Sequence, residues 1–207
     1  MEKDYFDLMA NRPELFEDGV IHIVKDKEII SEFEKNTGRQ IGIVYKSAYN
    51  MVLVDLVYIE EGKYFAYERL VPTVAKGATV ILPVCNGKFV LVKQYRHALR
   101  DFQYSLPRGY GENKLSAAEN ARKEIREELG AEATNIHYLG ECVANSGISG
   151  DRVGVYSCEV DSVNTDVREE GIVTYILVTE KELKAMLREG KVNDGFTMSA
   201  FALYLAQ

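Results

Sequence analysis

The sequence predicts an α/β fold, because it contains both strand-like runs and helix-like segments with their own end signals. In the first third, apolar runs at positions 51–58 and 64–70 flank the segment Glu60-Glu61-Gly62-Lys63, as the strands of a β-hairpin would. In the second half, a helical segment with clear start and stop signals lies between strand-like runs. We therefore expect an antiparallel group of strands, followed by a larger arrangement of strands and helices.

The amino-terminal segment is predicted to begin with a helix and continue with strands. Residues 1–19 have the pattern of a short helix followed by a turn at Arg12-Pro13. From Val20 the pattern becomes strand-like, with runs at Val20–Val24 and Gln40–Tyr45 before the hairpin. These runs supply the remaining strands of the antiparallel group.

Further strands and two helices are predicted after position 79. The dipeptide Asn86-Gly87 separates two apolar runs and accepts the positive φ angles of a type I′ turn, so these runs are expected to pair. The helix predicted for positions 180–188 is amphipathic, with Leu183, Met186 and Leu187 on its apolar side. The predicted elements are strands at Val80–Val84, Lys88–Gln94, Asn135–Cys142, Val153–Val160 and Ile172–Val178, and helices at Glu180–Arg188 and Phe196–Leu205.

Composition indicates a globular protein of ordinary character. The chain has 207 residues, 46% apolar and 28% charged, and a formal charge of −7. That charge argues against a general nucleic-acid binder, but not against a polyphosphate substrate that arrives with bound cations. The cysteines Cys85, Cys142 and Cys158 form no C-x-x-C pair, which indicates buried thiols in a reducing compartment. We see no signal-peptide pattern and no membrane-spanning run, so we expect a cytoplasmic protein without a membrane partner.

The most informative feature is a cluster of carboxylates within the central helical segment. Glu124, Glu127 and Glu128 have the spacing i, i+3, i+4 and therefore share one helix face. Like charges at this spacing repel, and a hard divalent cation with oxygen ligands removes the repulsion. Mg²⁺ or Mn²⁺ is the expected guest. The alternative is a solvated acidic face without a bound metal.

The residues around the carboxylates predict a helix that is capped at both ends and packed on one side. Ser116 is a candidate N-cap, with Glu119 completing a capping box, and Gly130 supplies a left-handed residue at the end. Gly109 and Gly111 form a tight loop before the helix. An apolar stripe along another helix face is made by Ala118, Ala121, Ile125 and Leu129.

The loop, the capped helix and the acidic face together resemble the Nudix box of nucleoside-diphosphate-X hydrolases. Two positions depart from the family pattern, since Leu115 replaces a Glu and Lys123 replaces an Arg, while Glu112 offers a carboxylate to the same loop. The resemblance implies an α/β/α Nudix sandwich with a mixed sheet at residues 74–207, preceded by an antiparallel β subdomain at residues 1–73. The residues in register with the box are Gly109, Glu124, Ile125, Glu127, Glu128, Gly130 and Ala131.

Within that family, the chain is most similar to ADP-ribose pyrophosphatases. The amino-terminal strands, the run Tyr67-Glu68-Arg69-Leu70 and the run Gln94-Tyr95-Arg96 carry this likeness. It implies a homodimer in which residues from about 20 to 70 contact the partner, and a role for Arg96 in binding phosphate, with a surface salt bridge as the alternative. In the loop at 144–151, Ser146 stands where many members of the subfamily have Pro.

The function implied by the resemblance is hydrolysis of a nucleoside diphosphate linked to a sugar, with ADP-ribose giving AMP and ribose 5-phosphate. Glu124, Glu127, Glu128 and the carbonyl of Arg108 would hold the metal. Arg96, Arg108 and Gly109 would bind the substrate, and either Glu169 or Glu170 would act as general base. The alternatives are another nucleotide sugar, a nucleoside triphosphate, or a domain that binds and senses a nucleotide without turnover.

Overall fold

The computed structural model describes residues 2–74, 77–112, 114–164 and 171–207, and these form two compact units. The first unit is Met1–Thr73 with Asn145–Asp151, and the second is Val74–Ala144 with Arg152–Gln207. The sequence placed residues 145–151 in the second domain. They group with the first unit because the Leu70 amide donates to the Ile148 carbonyl at 2.7 Å, and the Tyr67 hydroxyl donates to the Gly147 carbonyl at 3.1 Å.

The first unit is built around one antiparallel sheet. Strand β3 lies at its centre, with β4 paired along its length and with β1 and β2 paired to its two halves. The predicted hairpin across Glu60-Glu61-Gly62-Lys63 is therefore confirmed as β3 and β4. The elements are α1 (Glu2–Asn11), a 3-10 turn (Pro13–Phe16), β1 (His22–Ile23), α2 (Lys27–Thr37), β2 (Gly42–Lys46), β3 (Asn50–Tyr58) and β4 (Phe65–Pro72).

Helix α2 was not predicted from the sequence, and strand β1 is shorter than predicted. Helix α2 has both of the expected end signals, because the Asp26 side chain accepts from the amides of Glu28 and Ile29, and Gly38 ends the helix with φ of 71°. The predicted strand Val20–Val24 shrinks to two residues, and Val20 is 83% exposed. An exposed residue gains nothing from the sheet, so β propensity alone did not make a strand there.

A cluster of three polar side chains, Tyr5, Asp55 and Arg69, links the elements in the core of the first unit. The Tyr5 hydroxyl and the Arg69 guanidinium both donate to the carboxylate of Asp55, which is 2% exposed. Burial, followed by the charge of Asp55, raises the pKa of Tyr5 well above its usual value, so its hydroxyl keeps the proton that it donates. This group ties α1 to β3 and β4, because a buried carboxylate is stable only when its partners are in place.

The second unit contains a mixed sheet covered by helices, which confirms the predicted α/β/α sandwich. In the described residues its main strand order is β11-β6-β5-β10-β9, and β10 runs parallel to β5 while the other pairs are antiparallel. The elements are β5 (Thr79–Cys85), β6 (Lys88–Arg96), β7 (Asp101–Ser105), β8 (Arg108–Gly109), α3 (Ala117–Leu129), β9 (Thr134–Cys142), β10 (Val153–Glu159), β11 (Ile172–Val178), α4 (Glu180–Arg188) and α5 (Gly195–Leu205).

The two faces of this sheet bury different helices. Successive side chains of a strand point to opposite faces, so a strand covered on both sides is apolar throughout. On one face, Val80 and Leu91 pack with Leu183 of α4 and Phe201 of α5. On the other face lie residues from β5, β6 and α3, namely Ile81, Val90, Val92, Ala121, Ile125 and Leu129. No helix within the described ranges is long and apolar enough to cross a membrane.

Strands β5 and β6 separate a short distance from the turn that joins them, and the segment 101–109 pairs with both of them. Asn86 and Gly87 have φ of 49° and 72°, as the predicted type I′ turn requires. The two strands pair directly only next to this turn. Further along, β6 pairs with β7 and β5 pairs with β8, so the chain from 101 to 109 crosses from one strand to the other. Strand β7 was not predicted, and this crossing brings β8 alongside α3, next to Glu124 and Glu128.

Candidate active site

Helix α3 has the caps and the packing that its sequence predicted. The Ser116 hydroxyl accepts from the Glu119 amide, and the Glu119 carboxylate accepts in return from the Ser116 amide. Gly130 ends the helix in the left-handed region with φ of 57°. Ala121, Ile125 and Leu129 are at most 1% exposed. With one face buried and both ends capped, the acidic face of the helix has a fixed orientation.

Asn120 contributes to the site in a way that the sequence analysis overlooked. This residue is completely buried, and its side-chain amide donates to the Gly77 carbonyl at 2.9 Å and to the Tyr110 carbonyl at 2.8 Å. It therefore fixes the loop before α3 to the helix itself. The sequence does contain a signal for this role, because Asn120 adjoins the apolar stripe of an amphipathic helix. A polar side chain buried there needs hydrogen-bond partners.

Gly109 lies directly against the carboxylate of Glu124. A Cβ atom placed on Gly109 would be 2.0 Å from Glu124 Oε1 and 2.7 Å from Oε2. Glu124 is 9% exposed, so its carboxylate has little room to move away. The glycine lets the backbone of β8 approach this carboxylate, which any larger residue at position 109 would displace.

Glu128 is held at the same strand. Its Oε1 lies 3.4 Å from the backbone nitrogen of Arg108, which donates a long hydrogen bond to it. Glu128 is 7% exposed. The structure thus brings together four of the predicted site residues, with Glu124 and Glu128 from α3 facing Arg108 and Gly109 of β8.

The ammonium of Lys123 lies among three carboxylates, those of Glu112, Glu124 and Glu127. Its Nζ lies 2.5 Å from Glu127, 3.0 Å from Glu112 and 3.6 Å from Glu124. Burial would lower the pKa of Lys123, but the hydrogen bonds to Glu127 and Glu112 and the charge of Glu124 raise it above its usual value. Lys123 is therefore a permanent cation in this cluster, and Glu127 is drawn towards it.

The donor chemistry of α3 fits a divalent metal, although the carboxylates are not gathered around one point. In the part of the chain that the structure describes, no three His, Cys, Asp or Glu side chains are close enough together to hold a metal ion. The oxygen donors themselves are of the type that Mg²⁺ and Mn²⁺ prefer. The Gly109 contact supports such a site, because it brings the backbone of β8 close to the carboxylate of Glu124.

The side chain of Arg108 points to the start of α5. Its Nη1 donates to Asp194 at 2.9 Å, and its guanidinium lies 5.0 Å from the ring centroid of Phe196. Asp194 is the N-cap of α5, and its other oxygen accepts from the amide and hydroxyl of Thr197. The Thr197 hydroxyl in turn accepts from the Leu106 amide. Strand β8 is therefore fastened to the start of α5, in which no site residue was predicted.

The other predicted residues have different positions. Arg96 ends β6, and its Nη2 donates to the hydroxyl of Ser105 at 3.2 Å, just before the segment that leads to β8. Leu115, which replaces a Glu of the family pattern, is half-buried in the loop before α3. The two candidate general bases, Glu169 and Glu170, lie outside the described residues.

Comparison with known proteins identifies the fold and a family. The family model of the NUDIX domain matches residues 75–197. No curated protein matches the chain significantly by sequence. Among solved structures, the chain is similar to the crystal structure of an ADP compounds hydrolase, with a TM-score of 0.67 and 17% identity over 81% of this chain and 90% of that chain. At this identity, the likeness to the solved structure concerns the fold.

The ion pair between Arg108 and Asp194 should stabilise the second unit more than an exposed pair does. We expect a double-mutant cycle of Arg108→Met and Asp194→Ala to give a coupling of about 1–3 kcal/mol in the free energy of unfolding, because Asp194 is almost fully buried. The measurement is urea denaturation of the four proteins. The control pair is Arg126 and Glu132, which is exposed and should couple by less than about 1 kcal/mol. Equal coupling in both cycles would contradict the prediction.

Proposed function

The chain belongs to the Nudix family, and we propose that it is a metal-dependent hydrolase that cleaves the diphosphate of a nucleoside diphosphate linked to a sugar. The proposed substrate is ADP-ribose, with AMP and ribose 5-phosphate as products. The observation that carries the proposal is the contact of β8 with α3, where Gly109 leaves room for the Glu124 carboxylate and the Arg108 amide donates to Glu128. Two buried carboxylates held at a strand backbone favour a site for cations and phosphate over a solvated acidic face.

In this proposal, Glu124, Glu127, Glu128 and the backbone carbonyl of Arg108 hold the metal. Nudix hydrolases generally use divalent ions, and oxygen donors favour Mg²⁺, with Mn²⁺ as the alternative. A bound divalent ion supplies activation of water and neutralisation of charge on the diphosphate. Glu127 is 44% exposed in its side chain and is the carboxylate that must turn away from Lys123 to take part.

Other residues of the chain bind the substrate and move the proton. Arg96 binds a diphosphate oxygen, which suits a guanidinium at the end of a strand. Gly109 gives the substrate access to the backbone of β8, beside the Arg108 amide. Glu169 or Glu170 takes the proton from the attacking water. The Arg108 guanidinium is paired with Asp194, so we assign the contribution of Arg108 to its backbone.

The choice of substrate is supported by two observations. The run Gln94-Tyr95-Arg96 is similar to that of ADP-ribose pyrophosphatases, and the similar solved structure is that of an ADP compounds hydrolase. The second candidate function is nucleotide sensing without turnover. It is favoured by the pairing of Lys123 with Glu127 and by Leu115, which replaces a family carboxylate.

A substrate panel with two site variants tests the proposal. We expect Mg²⁺-dependent phosphate release from ADP-ribose in a coupled phosphatase assay, and weaker release from other nucleotide sugars. Because the phosphatase itself attacks nucleoside triphosphates, their turnover is followed by chromatography of the nucleotide products without phosphatase, and we expect it to be weaker. Glu127→Gln and Glu128→Gln should each lower turnover by about 100-fold or more, because each removes a ligand charge at nearly constant volume. Glu132→Gln, an exposed carboxylate just beyond α3, is the matched control and should retain activity.

The two candidate functions separate cleanly in this experiment. Binding of nucleotides without turnover by the natural chain would favour the sensing function. Turnover that survives both substitutions at saturating Mg²⁺ would show that these carboxylates do not hold the metal.

Gly109→Ala tests the contact on which the site depends. The added methyl group would overlap the carboxylate of Glu124, so we expect Glu124 to shift and turnover to fall by roughly 100-fold, as misplacement by about 1 Å can cause. Gly150→Ala is the control, because its Cβ meets open space. Circular dichroism and thermal melting check that both variants fold. A Gly109→Ala enzyme with full activity would contradict this account of the site.

We also propose that the protein is a cytoplasmic homodimer. Cys85, Cys142 and Cys158 are buried thiols, and burial raises the pKa of Cys158 to about 12, which suits a reducing compartment. The first unit exposes large apolar side chains around β2, including Tyr45 and Tyr49 at 60% and 63%. Such residues are typical of surfaces that bind a partner.

Light scattering tests the dimer. At micromolar concentration we expect twice the chain mass of 23.4 kDa. Tyr45→Asp should shift the protein towards the monomer, because a charge in an apolar interface is costly. Tyr138→Asp, at 59% exposure on β9 of the second unit, should remain dimeric. A monomeric natural chain would remove the support for this assembly.

A further inference from the structure

We infer that Lys123 is an internal cation of the acidic cluster, which holds Glu112, Glu124 and Glu127 in the absence of a divalent ion and opposes its binding. The inference rests on the proposed function, because it takes Glu124 and Glu127 as metal ligands. It adds a residue that sets the affinity for the metal.

The geometry of the ammonium supports this role. Lys123 Nζ has three N–H donors and lies 2.5 Å, 3.0 Å and 3.6 Å from carboxylates of three residues, which come from both α3 and the preceding loop. An ammonium is a compact charge that can donate to acceptors in three directions, whereas a planar guanidinium presents a rigid fork. The Lys at this position therefore gathers carboxylates that would otherwise repel one another.

A metal that binds the same carboxylates must displace or tolerate this charge. Glu127 contacts Lys123 directly, and Glu124 lies within 4 Å of it. Two cations at such separations repel strongly wherever water is partly excluded, and Lys123 is 32% exposed in its side chain. A metal ion must therefore compete with Lys123 for these carboxylates, and its binding weakens the ion pairs that Lys123 makes.

The same helix offers a matched control cation. Arg126 lies one turn beyond Lys123 and binds Glu132 through two hydrogen bonds of 2.8 Å and 2.9 Å. Both side chains of this pair are more than half exposed, and neither belongs to the proposed ligand set. Removing Arg126 changes the charge of the helix by the same amount and breaks none of the ion pairs that Lys123 makes.

The experiment measures the affinity of the protein for Mn²⁺ without substrate. Calorimetric titration or the paramagnetic resonance signal of unbound Mn²⁺ gives the Kd of the natural chain, Lys123→Met, Lys123→Arg and Arg126→Met. We expect Lys123→Met to bind Mn²⁺ roughly tenfold more tightly, because a nearby positive charge is lost. Lys123→Arg and Arg126→Met should stay within about threefold of the natural chain, since the first keeps the local charge and the second lies outside the cluster.

Thermal melting provides a second measurement that does not depend on turnover. In the presence of a chelator, Lys123→Met should melt at a lower temperature than the natural chain, because Glu112, Glu124 and Glu127 lose their counter-charge. Added Mn²⁺ should reduce this difference by restoring a cation to the cluster. Arg126→Met should show no such rescue.

The outcomes distinguish this inference from the proposed function. If the natural chain does not bind Mn²⁺, both are overturned. If the natural chain binds Mn²⁺ and Lys123→Met binds it equally or more weakly, the metal site stands and the inference about Lys123 is overturned. Lys123→Gln, which keeps an N–H donor without the charge, is used if Lys123→Met fails to fold, and the same tightening of Mn²⁺ binding is expected.

Discussion

The close approach of the β8 backbone to helix α3 is the constraint on which the proposed site depends. Gly109 faces the Glu124 carboxylate at a distance that excludes a Cβ atom, and the neighbouring Arg108 amide reaches Glu128. Both carboxylates are almost fully buried. Such groups are stable only with partners or cations close by, so the strand and the helix must stay in contact.

Several parts of the second unit combine to hold that position. The opening of the β5–β6 hairpin makes room for the segment from 101 to 109, and pairing with β5 fixes its end. From one side, Asp194 and Thr197 of α5 bind the Arg108 guanidinium and the Leu106 amide. From the other side, Asn120 of α3 binds the loop that follows. Helices on opposite faces of the sheet therefore meet at one short strand.

The replacement of a family Arg by Lys123 keeps the positive charge but changes how it is shared among the carboxylates. Where a guanidinium would align with one carboxylate, the ammonium contacts Glu112, Glu124 and Glu127 together. Glu112 lies in the same loop as Leu115, the position at which the family carboxylate is missing. The loop thus retains an acidic group, but one engaged with a cation of the protein itself.

The sequence by itself determined the elements whose signals are local. The caps at Ser116 and Gly130, the Asn86-Gly87 turn and the i, i+3, i+4 carboxylates were all readable, because each depends on residues within one or two turns of chain. Only the tertiary structure decided what depends on distant residues. Asn120, Asp194 and β7 acquire their roles from partners that lie far along the chain or on another element, and Lys123 acquires its third carboxylate from a loop. Hydrogen bonds and ion pairs between such residues leave no periodic pattern in a sequence, since their distances are set by how the sheet and helices pack.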